Sequence, residues 1–214
     1  MLAVKPRTAI YIDGFNLYYG ALKGTPYKWL DLDRYFRLLR PNDDLQCIRY
    51  FTAMVNGPTR PNQETYLRAL ATTPLVTPIL GKFKNKRVKC ALPGCSYSGS
   101  RFFQTPEEKR TDVNIAVYML DDAYQDVCDH MLLVSGDSDL VPAVRTVSMR
   151  FPAKQITVYV PAQHPTRGSA VELRTAANRS RELPLNLLPH AQFPPTVSDG
   201  AGGLIAKLAK PASW

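Results

Sequence analysis

Four aspartates lie at positions where carboxylates could hold a divalent cation. Asp13 directly follows one apolar run, and Asp137 and Asp139 directly follow another. Asp112 opens the clearest helical pattern in the chain. Ligands of open α/β sheets bind beyond the carboxyl ends of the strands, so we expect these side chains to share one sheet edge. Each aspartate alone also fits a helix cap, but together they predict an acidic site.

Such a site has a defined chemistry. Clustered carboxylates repel one another and cost stability unless a cation neutralises them. Oxygen ligands without a nearby set of cysteines and histidines favour Mg²⁺ or Mn²⁺ over zinc. Either cation suits the hydrolysis of phosphodiester bonds, because it activates water and stabilises charge on the phosphate.

The charge of the chain indicates a polyanionic partner. The 214 residues carry a formal net charge of +9, which favours nucleic acid. Cations concentrate between positions 82 and 110, where only Glu107 and Glu108 oppose them and aromatic residues are interleaved. Cations could contact phosphates while aromatic rings stack on unpaired bases; alternatively, this stretch is a solvated loop whose aromatic residues fold back on the core. The predicted nucleic-acid contacts here are Lys84, Lys86, Arg87, Lys89 and Arg101.

Short β-like runs alternate with helical patterns, which predicts right-handed βαβ units and a mostly parallel sheet. The predicted strands are Thr8–Ile12, Cys47–Val55, Leu75–Leu80, Met131–Val134, Ile156–Val160 and a short last strand at Leu185–Leu188. The predicted helices are Tyr18–Leu22, Leu32–Leu39, Pro61–Ala71, one that opens at Asp112, Leu140–Val147 and Val171–Ala177. In the helix opening at Asp112 we expect one buried apolar stripe, made of Val113, Ala116, Val117, Leu120, Ala123 and Val127.

These elements fit one domain over residues 1–190, which carries a turn-rich, irregular basic insertion at 82–105. Residues 191–214 are rich in proline and glycine and are predicted to be a flexible tail, with room for a short docking helix at Leu204–Leu208. The sequence has no apolar run long enough to cross a membrane, so we expect a soluble, cytoplasmic protein.

The four cysteines do not suggest a disulfide framework. Cys47 and Cys128 lie in apolar runs and are expected to pack in the core. Cys90 and Cys95 resemble half of a zinc knuckle, but structural zinc needs four ligands. We therefore expect two reduced thiols, although a homodimer could bring two such pairs together.

Three motifs, in the right order, resemble NYN domains, which include the LabA-like group and are relatives of the PIN nucleases. Tyr11–Leu17 (YIDGFNL) resembles the family's opening strand with D-x-x-N, and Glu108–Val113 (EKRTDV) resembles its E-K-x-x-D-V element. Ser135–Leu140 (SGDSDL) resembles its S-G-D-S-D-F signature, with leucine replacing phenylalanine. The likeness spans roughly Thr8 to Leu188 and implies a PIN-like, Rossmann-like three-layer α/β sandwich with a mostly parallel central sheet.

The resemblance also implies roles for the acidic residues and their neighbours. Asp13, Asp112 and Asp137 are similar to the metal carboxylates of the family, with Asp139 joining them directly or through water. Asn16 resembles an amide that orients Asp13 or touches the scissile phosphate.

Further roles follow from the same resemblance. Glu108 would support these ligands or bind a second metal ion, unless it only pairs with Lys109. Lys109 itself is a candidate phosphate contact. Ser135 and Ser138 would hold the aspartates by hydrogen bonds.

The function implied by the resemblance is that of a metal-dependent endoribonuclease with one or two Mg²⁺ or Mn²⁺ ions, acting on single-stranded or structured RNA. A catalytically inactive nucleic-acid-binding or regulatory module of the same fold is the main alternative. A hydrolase for a small phosphorylated molecule is a third reading, in which the basic insertion would play no part.

Overall fold

The computed structural model of the protein describes residues 4–162, 170–199 and 206–214. In chain order its strands are β1 (Arg7–Asp13), β2 (Asp44–Thr52), β3 (Val76–Leu80), β4 (Lys82–Lys89), β5 (Phe102–Lys109), β6 (His130–Val134), β7 (Gln155–Val160), β8 (Arg179–Glu182), β9 (Thr196–Asp199) and β10 (Ala206–Ala209). The α-helices are α1 (Gly14–Leu17), α2 (Leu32–Leu39), α3 (Arg60–Ala71), α4 (Thr111–Tyr124), α5 (Val141–Arg150) and α6 (Val171–Ala176). A π-helical turn spans Tyr18–Leu22, and 3₁₀ segments span Ser138–Leu140 and Leu185–Ala191.

Six parallel strands form the central sheet, in the order β3-β2-β1-β6-β7-β8. Side chains of the middle strands alternate between two cores, as the pleat of a strand requires. Ile10 and Ile12 of β1 pack in one core with residues of α2 and α3, whereas Ala9 and Tyr11 pack in the other with residues of α4 and α5. The molecule is therefore a three-layer α/β sandwich, which confirms the predicted fold class.

Helix α4 buries only part of the predicted stripe: Ala123 is buried as expected, but the centre of the buried face lies elsewhere. Val113 and Val117 are 64% and 56% exposed, while Ile115 and Met119 are fully buried. Both sets recur at a spacing of four residues, so the apolar pattern alone did not distinguish them. The deciding contact is polar: Asp122 is buried and accepts hydrogen bonds from the hydroxyl of Tyr11 at 2.7 Å and from Nε of Arg49 at 2.8 Å.

The predicted irregular insertion is instead an antiparallel hairpin. Strands β4 and β5 pair from Lys82 opposite Lys109 to Lys89 opposite Phe102. Sequence patterning missed this pair because both of its faces are rich in polar residues, so no alternation of apolar and polar side chains marks the strands.

The end of the chain also differs from its prediction. Leu185–Leu188 lies in a 3₁₀ segment rather than a strand, and the sixth strand of the sheet is the polar segment Arg179–Glu182. Within the predicted flexible tail, β9 and β10 form a hairpin that contacts α3, and the ring of Trp214 packs edge-on against Tyr66. The described part of the predicted docking helix, from residue 206 onward, is strand, and residues 204 and 205 lie outside the described residues.

The remaining predicted elements agree with the structure, with β2 displaced three residues toward the N-terminus relative to its prediction. No helix among the described residues has the length and apolar character needed to cross a membrane.

Candidate functional site

The strand order of the sheet reverses between β1 and β6. The chain builds β2 and β3 to one side of β1, and then β7 and β8 to the far side of β6. Such a switch point leaves a crevice at the carboxyl edge, because the connections that leave the two strands diverge. Asp13 ends β1 at this crevice, and Ser135–Asp139 follows β6 into it. The fold thus brings together two of the three motifs found in the sequence.

Asp13 is the buried anchor of this edge, with 3% of its surface exposed. Its Oδ1 accepts hydrogen bonds from the backbone N–H groups of Phe15 and Asn16, at 3.1 and 3.0 Å. Its Oδ2 accepts from Nδ2 of Asn16 at 2.5 Å and from Oγ of Ser135 at 3.1 Å. Burial raises the pKa of Asp13, against the effect of these donors.

Asn16 and Ser135 connect the two strands across the crevice. The side-chain amide of Asn16 donates to Asp13, and its Oδ1 accepts from the backbone N–H of Gly136 at 3.0 Å. The hydroxyl of Ser135 donates to Asp13 and accepts from the backbone N–H of Asp137 at 3.1 Å. The position of Asp137 is therefore coupled to that of Asp13 through two small polar side chains.

The third motif lies at the start of α4, the helix that packs in the same core as Ala9 and Tyr11. Asp112, in the first turn of α4, is half-buried and accepts no hydrogen bond from any described residue. Its pKa is raised to about 6, first by burial and then by the charges of the neighbouring carboxylates, which are Asp13, Asp137, Glu108 and Asp139. The structure thus brings all five predicted carboxylates into one neighbourhood, which is called the acidic cluster below.

Glu108, Asp137 and Ser138, which the motifs also single out, differ in the hydrogen bonds that they make. Glu108 accepts hydrogen bonds from the backbone N–H and the hydroxyl of Thr111, so it holds the start of α4 rather than pairing with Lys109. Asp137 accepts from the backbone N–H of Asp139 at 2.9 Å. Ser138 is exposed, and among the described residues its side chain donates to neither of these aspartates, so only Ser135 holds a carboxylate as predicted.

The cluster suits a divalent cation by its chemistry, since all its ligands would be oxygens. Within the described residues, no three acidic, histidine or cysteine side chains converge closely enough to form a coordination shell. Asp13 uses about four acceptor positions on protein donors, the capacity of a carboxylate, whereas Asp112 uses none on the described residues. The carboxylates most available to a cation are therefore those of Asp112, Asp137 and Asp139.

The β4–β5 hairpin presents two different faces. Side chains alternate along each strand, so Phe83, Arg87 and Lys89 share a face with Phe102 and Glu108. This face adjoins the acidic cluster, because the ring of Phe83 packs edge-on against Phe15 at 5.6 Å and Glu108 lies beside Asp112. We call it the site-facing side of the hairpin.

The opposite side of the hairpin carries the other predicted contacts, Lys84 and Lys86, together with Lys109. Glu107 lies on the same side and forms ion pairs with Lys109 at 3.0 Å and Lys86 at 3.7 Å. The predicted basic patch is therefore divided between two faces, and part of its charge is neutralised. Arg101 lies beyond both strands and approaches the carbonyl of Cys95 at 3.5 Å.

A cavity of about 430 Å³ opens beside the cluster and was not anticipated from the sequence. Its lining combines aliphatic and polar residues with several aromatic ones, which include Phe15, Tyr18, Tyr19, Tyr66 and Trp214. These residues come from three separate segments, so no local pattern could have revealed the whole set. The nearest signal in the sequence was the density of aromatic residues directly after Asp13.

Gly14 separates this cavity from the acidic cluster. A Cβ atom at this position would lie 2.7 Å from the carbonyl oxygen of Phe51 and 2.9 Å from the hydroxyl of Tyr50. Only glycine permits so close an approach of the start of α1 to β2. The hydroxyl of Tyr50 consequently borders the same turn that carries Asp13.

The NYN domain family model matches residues 7–184, so the chain belongs to the NYN domain family. This membership confirms the resemblance seen in the three motifs and implies a nuclease-type protein. The matched range includes the whole acidic cluster and the β4–β5 hairpin.

Two individual proteins are also similar to this chain. The 6-hydroxy-3-succinoylpyridine 3-monooxygenase HspA of Pseudomonas putida is 32% identical over 207 residues, which cover 82% of this chain. The alignment covers 66% of that relative, so the chain spans about two thirds of its length. A crystal structure of a protein of unknown function from Vibrio parahaemolyticus matches with a TM-score of 0.53 and 19% identity, covering 86% of this chain and 96% of that one. That likeness shows the fold alone.

Proposed function

We propose that the protein is a metal-dependent ribonuclease that hydrolyses RNA phosphodiester bonds at the acidic cluster. The observation that carries this proposal is that carboxylates from three separate segments lie in one neighbourhood at the switch point of the sheet. Capping explains each aspartate singly, but it does not explain why the half-buried Asp112 faces other carboxylates without a described donor. A cation offsets this repulsion.

Asp112, Asp137 and Asp139 would hold Mg²⁺ or Mn²⁺, with Asp13 behind them as the buried anchor. Bound there, the cation supplies an activated water and stabilises the negative charge of the phosphate. Asn16 and Ser135 keep the loops after β1 and β6 in register, which fixes the spacing of the carboxylates. The site-facing side of the hairpin offers Arg87 and Lys89 to the RNA backbone.

The decisive experiment measures cleavage of end-labelled RNA by the full chain in Mg²⁺, in Mn²⁺ and in EDTA. Asp112→Asn should abolish cleavage, and in EDTA it should melt no lower than the wild type, because it relieves repulsion. The matched control is Asp121→Asn, an exposed aspartate on the same helix, which should cleave normally. Equal cleavage by wild type and Asp112→Asn would overturn the proposal.

The named relative favours a second candidate function, the hydroxylation of a small N-heteroaromatic ring. A monooxygenase inserts one oxygen atom of O₂ into its substrate and reduces the other to water, which needs two electrons and two protons. The specific observation is the 32% identity to HspA together with an aromatic cavity beside the site. Supplying 6-hydroxy-3-succinoylpyridine, O₂ and a reduced nicotinamide as electron donor tests it, with oxygen consumption and product mass as readouts.

A further inference from the structure

The aromatic cavity lies where a substrate flanking the acidic cluster would reach it. Phe15 lines the cavity and follows Asp13 by two residues, and Tyr50 and Thr52 extend the lining along the end of β2. The cavity thus opens at the same carboxyl edge of the sheet as the cluster. Its volume of about 430 Å³ falls within the range of small-ligand sites.

Part of the aromatic lining is accessible to solvent. Tyr19 is 60% exposed and meets Tyr18 edge-on at 5.2 Å. Trp214 packs edge-on against Tyr66 with 5.5 Å between ring centroids. Aromatic surfaces of this kind stack on any nucleobase, since every base has a π-face.

Polar groups give the cavity a charge preference. Lys28 belongs to the lining, and no described carboxylate pairs with it. Lys23, also in the lining, lies over the ring of Tyr19 at 4.9 Å. Two cations beside aromatic walls favour an aromatic ligand that carries an anionic group.

The cavity is held in shape by its own hydrogen bonds. Gln63 donates to the carbonyl of Ala53 at 2.9 Å and accepts from the backbone N–H of Val55 at 2.7 Å, which fixes the loop after β2. Asn62 donates to the hydroxyl of Ser213 at 3.0 Å, which places Trp214 on α3. A preformed cavity binds its ligand without the cost of ordering its walls.

We propose that this cavity binds one unpaired nucleotide of the substrate, with the nucleobase against the aromatic walls and a phosphate at Lys28. The proposal rests on the proposed ribonuclease function, because that function makes RNA the substrate. The binding of a nucleotide can nevertheless be measured without cleavage. Binding of this kind gives the protein a preference for single-stranded RNA, because a base in a duplex cannot enter the cavity.

Isothermal titration of the full chain with 5′-AMP in EDTA tests the binding directly. We expect one saturable site, with quenching of tryptophan fluorescence because Trp214 forms part of the wall. Adenosine, which lacks the phosphate, should bind more weakly. Lys28→Gln should lower the affinity for 5′-AMP to that for adenosine.

A pair of exposed tyrosines provides a matched test of the aromatic wall. Tyr19→Ala should weaken binding of 5′-AMP about tenfold, the usual effect of losing one stacking ring. Tyr124→Ala is the control, because Tyr124 is 63% exposed and lies at the end of α4, outside the cavity lining. It should leave the dissociation constant unchanged.

The outcomes separate this proposal from the ribonuclease proposal. Binding of 5′-AMP that depends on Tyr19 and Lys28, in a protein that cleaves no RNA, would support the cavity assignment and overturn the nuclease. Cleavage of RNA with no binding of 5′-AMP, or with binding insensitive to both variants, would overturn the cavity assignment alone. Binding of 6-hydroxy-3-succinoylpyridine that depends on Tyr19 and Lys28, with no binding of 5′-AMP, would also overturn it and would favour ring hydroxylation.

Discussion

At the scale of single residues, Asn16 is the side chain on which the geometry of the site depends most. Its amide donates to the buried carboxylate at the end of β1 and accepts from the backbone that leaves β6. Both of its polar atoms are used within the protein. Asn16 therefore orients Asp13, which is one of the two roles expected for it, while contact with the scissile phosphate stays a prediction.

We expect Asn16→Ala to lower the rate of RNA cleavage at saturating substrate by about a hundredfold, because small displacements of a reacting group have effects of this size. The dissociation constant for RNA should change far less, by about fivefold, the equivalent of one neutral hydrogen bond. Single-turnover cleavage and equilibrium binding on the same RNA measure the two quantities, with circular dichroism to confirm folding.

Asn186→Ala, an exposed asparagine in the last 3₁₀ segment, is the control for this experiment and should behave as wild type. Equal losses of rate and affinity in Asn16→Ala would instead favour a module that binds nucleic acid without cleaving it.

Residue types and their places in the chain predicted the acidic cluster well, because an aspartate directly after a buried parallel strand must lie at the carboxyl edge of the sheet. They could not predict which carboxylate oxygens remain available to bind a cation. Asp13 and Asp112 look equivalent in sequence, yet one is surrounded by donors and the other by carboxylates. That difference arises from side-chain packing across three segments, as does the whole aromatic cavity.

At the scale of elements, patterning identified most elements that have an apolar surface and missed those that have none. Strand β8 is exposed at all four positions and carries three charged residues, as edge strands often do to resist aggregation. Its sequence therefore has no signal of burial. Leu185–Leu188 has the apolar residues of a strand, but it lies between Pro184 and Pro189 in a 3₁₀ segment.

The hairpin allows a test in which charge is held constant and only the face changes. Arg87→Ser with Lys89→Ser should weaken RNA binding and reduce the log–log salt slope by about 1.4, the value for two phosphate contacts on a single strand. Lys84→Ser with Lys86→Ser removes the same charge from the opposite side and should change the slope much less, because Lys86 is already paired with Glu107. Affinities measured between 50 and 200 mM salt, as a salt series requires, give both slopes.

Equal slopes for the two double variants would mean that RNA senses only the net charge of the hairpin. An unaltered slope in both would show that the hairpin is a solvated arm, which was the alternative reading of its sequence.

At the scale of the whole molecule, the two edges of the sheet differ in their ionisable side chains. The carboxyl edge gathers acidic side chains, whereas the amino edge holds a buried histidine. His130 begins β6, and its Nδ1 lies 3.1 Å from a guanidinium nitrogen of Arg40, while its Nε2 lies 2.9 Å from the hydroxyl of Thr157. An arginine can only donate, so Nδ1 is the acceptor and the neutral ring carries its proton on Nε2.

The surroundings of His130 disfavour its protonation. Its pKa is lowered by burial first and then by the charges of Arg40 and Arg179, against the opposing charge of Asp43. Asp43 is 4.0 Å from Nδ1, but it already accepts from Arg40 at 2.8 Å and from Thr8 at 2.8 Å. The folded protein therefore holds this histidine neutral under conditions in which the unfolded chain protonates it.

The free energy of unfolding should consequently fall as the pH drops below about 6.5, the value for an unperturbed histidine, because the unfolded state then binds a proton that the folded state does not. Asp112 acts in the opposite direction: its pKa is raised to about 6, so the folded state gains protons relative to the unfolded state as the pH falls through that value. Comparing variants isolates the histidine. Urea titrations in EDTA at pH 7.5 and pH 5.5 measure the free energy of unfolding of wild type and of His130→Asn, whose side-chain oxygen can still accept from Arg40. From pH 7.5 to pH 5.5, wild type should lose more of this free energy than the variant. The same loss in both proteins would show that His130 takes up its proton in the folded state without cost, and that the acid sensitivity of the fold originates elsewhere.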